Sequence, residues 1–351
     1  MNAGPTAAPL IFQRLSRVSF SLSICYDVPS TLSGTPRIPS FRPRSSTAFV
    51  TRLWRSPLAT PCSYHIHLEM TPEPIHSRPS NQLRLAVIGA GKMGGILIDG
   101  FLKQDLLPPQ NIFATVQHAS PDRKTPASSS VPLTTDNRAA ARASDLILLC
   151  VKPQVIAQVL DEIRPELGPQ KLIVSIAASV PTDYIEKRVG GDIPVLRAMP
   201  NTPSLVGEGI TAIARGKFVG AEQLETVRKL FSAVGKTVVV DEKNMDAVTG
   251  LSGSGPAFIY IILESLAEGG VKMGLSRELA TLLAAQTALG AAKVVLETGH
   301  HPALLKDTVT TPAGCTIDGI LELEEGGLRV TLIKAIVKAS QRARELLFTD
   351  K

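Results

Sequence analysis

The chain has 351 residues, 44% of them apolar, enough for one large or two medium domains with full cores. Residues 1–80 hold eight Arg, no Lys and three acids, a balance of +5 within a total of +6, so the other 271 residues are nearly neutral and no basic nucleic-acid platform is expected. No run approaches about 18 uninterrupted apolar residues, so no membrane span is expected. Cys25, Cys62, Cys150 and Cys315 form no CxxC pair, which points to neither a metal site nor a disulfide framework.

Residues 1–80 are rich in Pro, Ser and Arg and lack sustained periodicity, a composition that buries too little apolar surface to offset chain entropy. They read either as an organellar transit peptide or as a disordered extension, with Met70 as an alternative start. The expected location is cytoplasmic, because Asp27 and several prolines would interrupt a presequence helix. A mitochondrial or plastid location is the alternative if the extension is a transit peptide. The only tryptophan, Trp54, lies in this segment.

Regular structure is predicted from Leu83. A strand at 83–88 (LRLAVI) leads into a helix at 92–103, a strand at 112–116 and a polar loop at 120–130. A strand at 146–151 (LILLCV), a helix at 154–166 opened by Pro153 and a strand at 172–176 follow, with short β-rich runs at 195–199, 211–214 and 237–240. Such alternation predicts a doubly wound, Rossmann-like α/β sheet over 81–241. From 242 to 351 the pattern becomes helical, with helices at 256–273, 276–297, 316–324 and 328–347. Helices apolar on most sides need partners outside one small domain, so this all-α part is expected to form a homodimer.

Gly89-Ala90-Gly91-Lys92-Met93-Gly94 is a GxGxxG run that leaves a strand and opens a helix, the context of a dinucleotide pyrophosphate site. Ile88 precedes it at the strand end. The acid that holds a ribose in NAD-preferring sites, about 20 residues further on, is missing. Thr115, Val116, Gln117 and His118 stand there instead, followed by Ser120, Arg123 and Lys124, which suit a 2′-phosphate. NADPH is the expected cofactor, with NADH the second candidate and Ser120 the safest contact. Cys150-Val151-Lys152-Pro153 and Ile176-Ala177-Ala178 end two further strands and are expected to line the cofactor.

Three later segments carry the most specific signal: Arg197-Ala198-Met199-Pro200-Asn201-Thr202-Pro203, the run 246–256 (DAVTGLSGSGP), and the run 301–324 (HPALLKDTVTTPAGCTIDGILELE). Together they resemble the pyrroline-5-carboxylate reductase family over about 83–347. The resemblance implies hydride transfer from NADPH to the ring imine of 1-pyrroline-5-carboxylate, giving L-proline, the last step of proline biosynthesis. It also implies that backbone N–H groups of Cys315 and Thr316 bind the substrate carboxylate, with Thr311 nearby. Thr316 would be the catalytic candidate, Glu242 would lie near the ring nitrogen, and Asn137 and Thr308 would contact cofactor. It further implies helical domains interlocked in dimers, with decamers built from them.

The residues agree with parts of this. Pro312-Ala313-Gly314-Cys315-Thr316 is a glycine-containing turn entering a helix, an anion site by its free N–H groups. Thr316 reads as an N-cap or as a substrate contact, and Glu242 as a substrate contact or as an acid opening a helix. His301 opens a helix and reads as a local structural residue. Two other readings remain: an enzyme like the β-hydroxyacid dehydrogenases, for which Lys272 and Lys293 lack the surrounding context, and a Rossmann protein that only senses the nucleotide.

Overall fold

The computed structural model describes residues 83–118 and 130–345. Among them, eight strands form one sheet: β1 (Leu85–Ile88), β2 (Ile112–Thr115), β3 (Leu133–Thr134), β4 (Leu146–Leu149), β5 (Leu172–Ser175), β6 (Val195–Met199), β7 (Gly209–Arg215) and β8 (Gly235–Val239). Their order is β3-β2-β1-β4-β5-β6-β7-β8. The first six run parallel, β7 is antiparallel to β6, and β8 is parallel to β7. The chain moves outward from β1 to β3 and then returns to β4 on the other side of β1. That reversal opens a crevice at the C-terminal ends of β1 and β4.

Both faces of the sheet are covered, which is why β1 and β4 read as unbroken apolar runs and β5 as one broken only by Ser175. On one face Leu85, Val87, Leu146, Leu148, Leu172 and Val174 meet α1 (Lys92–Lys103) and α5 (Ala221–Ser232). Phe101 of α1 and Phe231 of α5 pack edge to face there, centroids 6.2 Å apart. On the other face Ala86, Ile88, Ile147, Leu149 and Ile173 meet α2 (Asn137–Ala143), α3 (Pro153–Ile163) and α4 (Thr182–Val189). The starts of β1 and β4 are pinned by a two-pronged pair from Arg84 to Asp145, at 2.7 and 3.1 Å.

Several elements differ from the sequence expectation. β4 stops at Leu149, and Cys150 and Val151 leave it to wall the crevice. The helix expected at 154–166 ends at Ile163, and Arg164–Glu166 around Pro165 tightens into a 3-10 turn. The strand at 211–214 is the middle of the longer β7. α2, α4 and the two-residue β3 are too short to show a period. α5 was not among the expected elements, although Leu224, Val227, Leu230 and Phe231 form a helical stripe that could have announced it; Gly220 N donates to Gln223 Oε1 at its start.

After Val239 every described element is helical: α6 (Met245–Val248), α7 (Gly255–Lys272), α8 (Arg277–Thr298), α9 (Pro302–Val309), α10 (Cys315–Glu325) and α11 (Leu328–Glu345). The Gly/Ser run before α7 is a π-helical turn at Thr249–Gly253. There Gly250 lets α11 approach closely: a Cβ would sit 2.9 Å from Ile336 O and Ser340 N. α7 and α8 form an antiparallel pair around Ala267, Ala280 and Ala284.

Most of their apolar surface stays outside: Ile261, Leu266, Leu282 and Leu296 are each more than half exposed. Contrary to the expectation from uninterrupted runs, Glu242–Lys272 and Arg277–Thr298 are long and apolar enough to cross a membrane. One chain leaves both helices almost wholly uncovered, so its helical part lacks a finished core.

Candidate active site

The glycine-rich turn sits at the crevice between β1 and β4, and each glycine answers to a different constraint. Gly89 has φ +93°, and a Cβ there would lie 2.9 Å from Val151 Cγ1 and 3.0 Å from Cys150 O. At Gly94 a Cβ would lie 2.7 Å from Gly89 O, so α1 can pack tightly on the strand end only as glycine. At Gly91 the nearest atom among the described residues would be 3.9 Å away, which leaves room for a phosphate against the backbone. Gly91 caps α1 without a side-chain hydrogen bond, and the first helical bond runs from Gly95 N to Gly91 O. The preceding N–H groups, at Lys92, Met93 and Gly94, therefore open on the crevice as an anion cradle.

A part-buried polar chain supports this turn. Gly89 N and Ala90 N donate to Thr115 O at 3.2 and 2.7 Å. Thr115 Oγ1 donates to Asn137 Oδ1 at 2.7 Å, and Asn137 Nδ2 donates to Glu162 Oε2 at 2.9 Å. Asn137 is thus tied to the underside of the turn. Glu162 was not singled out from the sequence, because no local pattern links α3 to Asn137.

The other expected cofactor residues differ in what they offer. Ile88 and Ala90 are 1% exposed core residues, so only their backbones face the crevice. Burial pushes the Cys150 thiol far up, which leaves it protonated and unreactive at neutral pH. Val151 packs over Gly89, while exposed Lys152 caps α3 and half-buried Pro153 is its first residue. Ala177 is buried, and Ile176 and Ala178 are half-buried at the end of β5. Ser179 follows at φ +67° and donates through Oγ to the carbonyl of Ala343 on α11. Ser120, Arg123 and Lys124 lie outside the described residues.

Glu242 is engaged differently from the expectation. Its carboxylate accepts from Thr182 N at 2.7 Å and Thr182 Oγ1 at 2.6 Å, so it caps the start of α4 from across the fold. In the single chain Glu242 thus has a structural contact, and each oxygen keeps a further acceptor position. Asn201, inside the 197–203 motif, is 8% exposed; it accepts from Ile210 N at 2.9 Å and donates to Ser252 O at 3.2 Å. It fastens the loop after β6 to the π turn, a role visible only once the two are adjacent.

The turn before α10 is exposed and preformed. Gly314 N donates to Thr311 O at 3.0 Å, and Ala313 takes φ +57°. Gly314, not Thr316, is the N-cap, so Cys315 and Thr316 are the first two helical residues with N–H groups directed out of the helix end. Thr308 is exposed on α9, its Oγ1 donating to Leu305 O at 2.6 Å. His301 caps α9, its Nδ1 accepting from Ala303 N at 3.2 Å, which is the local role expected of it. Among the described elements, α10 packs extensively only against α11. A single chain therefore does not close this turn over its own sheet crevice.

A Rossmann sheet with a phosphate-cradling glycine turn, joined to a helical part carrying a second anion-binding turn, defines a nicotinamide-nucleotide-dependent oxidoreductase. Comparison with known proteins refines this. Residues 84–179 match the family described as NADP oxidoreductase coenzyme F420-dependent, and residues 242–346 the one described as Pyrroline-5-carboxylate reductase dimerisation. A pyrroline-5-carboxylate reductase of Methanosarcina acetivorans is 46% identical over 75% of this chain and 97% of its own length. One from Arabidopsis thaliana is 43% identical over 76% and 97%. The crystal structure of a Plasmodium falciparum pyrroline carboxylate reductase with NADP bound matches at TM-score 0.70 and 32% identity, covering 76% of this chain and 99% of that one. The chain belongs to the pyrroline-5-carboxylate reductase family, NADP-dependent oxidoreductases, and carries that family's dimerisation domain, the mark of a homo-oligomer.

Proposed function

We propose that this protein reduces 1-pyrroline-5-carboxylate to L-proline, taking hydride from NADPH in preference to NADH. The observation that carries the reading is the pairing of two anion cradles in one chain, at 89–94 on the sheet and at 314–316 on the helical part. The first suits a pyrophosphate and the second a small ring's carboxylate. When bound, the cofactor supplies the hydride.

The protein's part is positional. The N–H groups of Lys92, Met93 and Gly94 hold phosphate, the polar chain from Glu162 to Thr115 keeps the turn in place, and the small residues Ala177 and Ala178 leave room beside Ile176 for the cofactor's reactive ring. The N–H groups of Cys315 and Thr316 hold the substrate carboxylate, with Thr311 beside them and the Thr316 hydroxyl directed at substrate. A protonated imine already accepts hydride readily, so holding donor and acceptor carbons in contact contributes several kcal/mol by itself. Thr308 and Asn137 are assigned to the cofactor's periphery.

The reading divides the folded chain into a cofactor domain at 81–241 and a dimerisation and substrate domain at 242–351. The two cradles meet when a second copy brings its α10 turn over the crevice, making a homodimer the smallest active unit and decamers a further assembly of such dimers. A second copy, not lipid, then covers Glu242–Lys272 and Arg277–Thr298. A cytoplasmic location is part of this reading; sequencing the native N-terminus separates it from an organellar one.

The test is NADPH consumption on addition of 1-pyrroline-5-carboxylate, with L-proline identified as product. No turnover with this substrate while NADPH still binds would leave only a nucleotide sensor.

A further inference from the structure

α2 spans only seven residues, yet it is fixed at both ends. At its start Asp136 Oδ1 accepts from Ala139 N at 2.8 Å. At its far end the buried Lys171 ammonium donates to Ala141 O, Arg142 O and Ser144 O at 2.7, 3.2 and 2.6 Å. With the backbone so held, the side-chain rotation of Asn137, the first residue of α2, is the freedom left between this helix and the glycine turn.

That rotation decides the direction of a chain of hydrogen bonds. Thr115 Oγ1 lies between two partners, Asn137 Oδ1 at 2.7 Å and Gly89 N at 3.3 Å. Gly89 N can only donate, so the hydroxyl accepts from it and sends its own proton to Asn137. Asn137 must then present oxygen to Thr115 and nitrogen to the opposite side, where Glu162 Oε2 accepts at 2.9 Å. An ionised carboxylate offers only acceptors, so Glu162 bars the reversed amide, which would set oxygen against oxygen. Reversal would also take the acceptor from the Thr115 proton, at a position 1% exposed where an unmet donor is costly. The other acids at this end of α3 have duties of their own: Asp161 pairs with Arg188 at 2.6 Å and Glu166 with Arg142 at 2.8 Å.

We propose that Glu162 is a positioning residue for the nucleotide: by fixing the amide of Asn137 it orders the Thr115 hydroxyl against Gly89 and holds the phosphate turn in its binding shape, acting through Asn137 rather than on the cofactor itself. Glu162 has this role only if residues 89–94 hold the nucleotide's phosphates, as proposed for them.

Calorimetric titration of the full chain with NADPH tests the role and needs no substrate. Glu162→Ala releases the amide and is expected to raise the dissociation constant about fivefold, the size of effect one hydrogen bond carries. Glu162→Gln keeps an oxygen acceptor at the same reach and is expected to stay within about twofold of wild type. Asn137→Ala removes the intermediary, and adding Glu162→Ala to it should change the constant no further. A contribution to stability alone predicts a lower Tm with wild-type binding in Glu162→Ala, and that result overturns the proposal. So does a Glu162→Ala penalty that persists in full on the Asn137→Ala background, because Glu162 would then act by another route. A Glu162→Gln constant as weak as that of Glu162→Ala also overturns it, since charge rather than an acceptor would then be at work. If Glu162→Ala does not fold, Thr115→Val breaks the same chain at its other end with little change of shape, and an unchanged constant there counts equally against the proposal. Wild-type protein that binds no NADPH would overturn the phosphate cradle and this role together, an outcome distinct from the others, in all of which wild type binds.

Discussion

Gly91 and Gly94 separate ligand binding from packing within four residues. A Cβ at Gly91 comes no closer than 3.9 Å to any described atom, so Gly91→Ala is expected to lower Tm by no more than a few degrees while raising the KM for NADPH roughly tenfold or more. Gly94→Val instead forces a Cβ to 2.7 Å from Gly89 O, and both Tm and activity fall. At the other cradle, Thr316→Ala is expected to raise the KM for the pyrroline about tenfold while the KM for NADPH stays put, since a hydroxyl-to-ligand bond of this kind contributes about 1–1.5 kcal/mol. Steady-state kinetics with each substrate varied in turn checks both. An unchanged pyrroline KM would remove Thr316 from the site.

Among elements, α4 is held at its start by Glu242, which lies 60 residues away in sequence. Glu242→Ala leaves Thr182 N–H and hydroxyl without their acceptor and is expected to cost about 1–2 kcal/mol, read by urea denaturation. The reading near the ring nitrogen predicts instead a loss of turnover with stability intact. A second link joins α2 to the turn after α3: hydrogen bonds from Arg142 and Arg138 pull Glu166 down to about 2 from an ordinary 4.5. A carboxylate depressed in the folded state contributes stability that is complete above the ordinary value and is lost as pH falls toward the depressed one. The Tm difference between wild type and Glu166→Gln should therefore be constant above about pH 4.5 and shrink from there toward pH 2. A difference that persists undiminished at pH 2 would sink this assignment.

At the scale of the whole molecule, the sheet is complete in one chain and the helical part is not. Leu282 on α8 is 63% exposed and Ile261 on α7 62%. In a monomer, Leu282→Glu or Ile261→Glu would be a surface change of less than about 0.5 kcal/mol. In a dimer sealed by these helices it buries an unpaired charge. The expected outcome is dissociation to monomers in light scattering with activity lost, because the α10 turn then has no crevice to close on. Intact oligomers with full activity would exclude this face from the interface.

Local order determined much of this protein before any fold was known. Unbroken apolar tetrads announced β1 and β4, the spacing of three glycines after β1 announced the phosphate cradle, and long motifs at 197–203, 246–256 and 301–324 carried the family. These signals are legible because backbone conformation and burial act on neighbouring residues. Tertiary structure alone decided that Glu242 caps α4, that Asn137 hangs between Thr115 and Glu162, that the Gly/Ser run is a π turn under α11, and that buried Arg197 lies between Glu242 and Asp246. Each of those joins groups far apart in sequence, and a carboxylate or guanidinium takes its role from whichever partner the folded chain brings within about 3 Å.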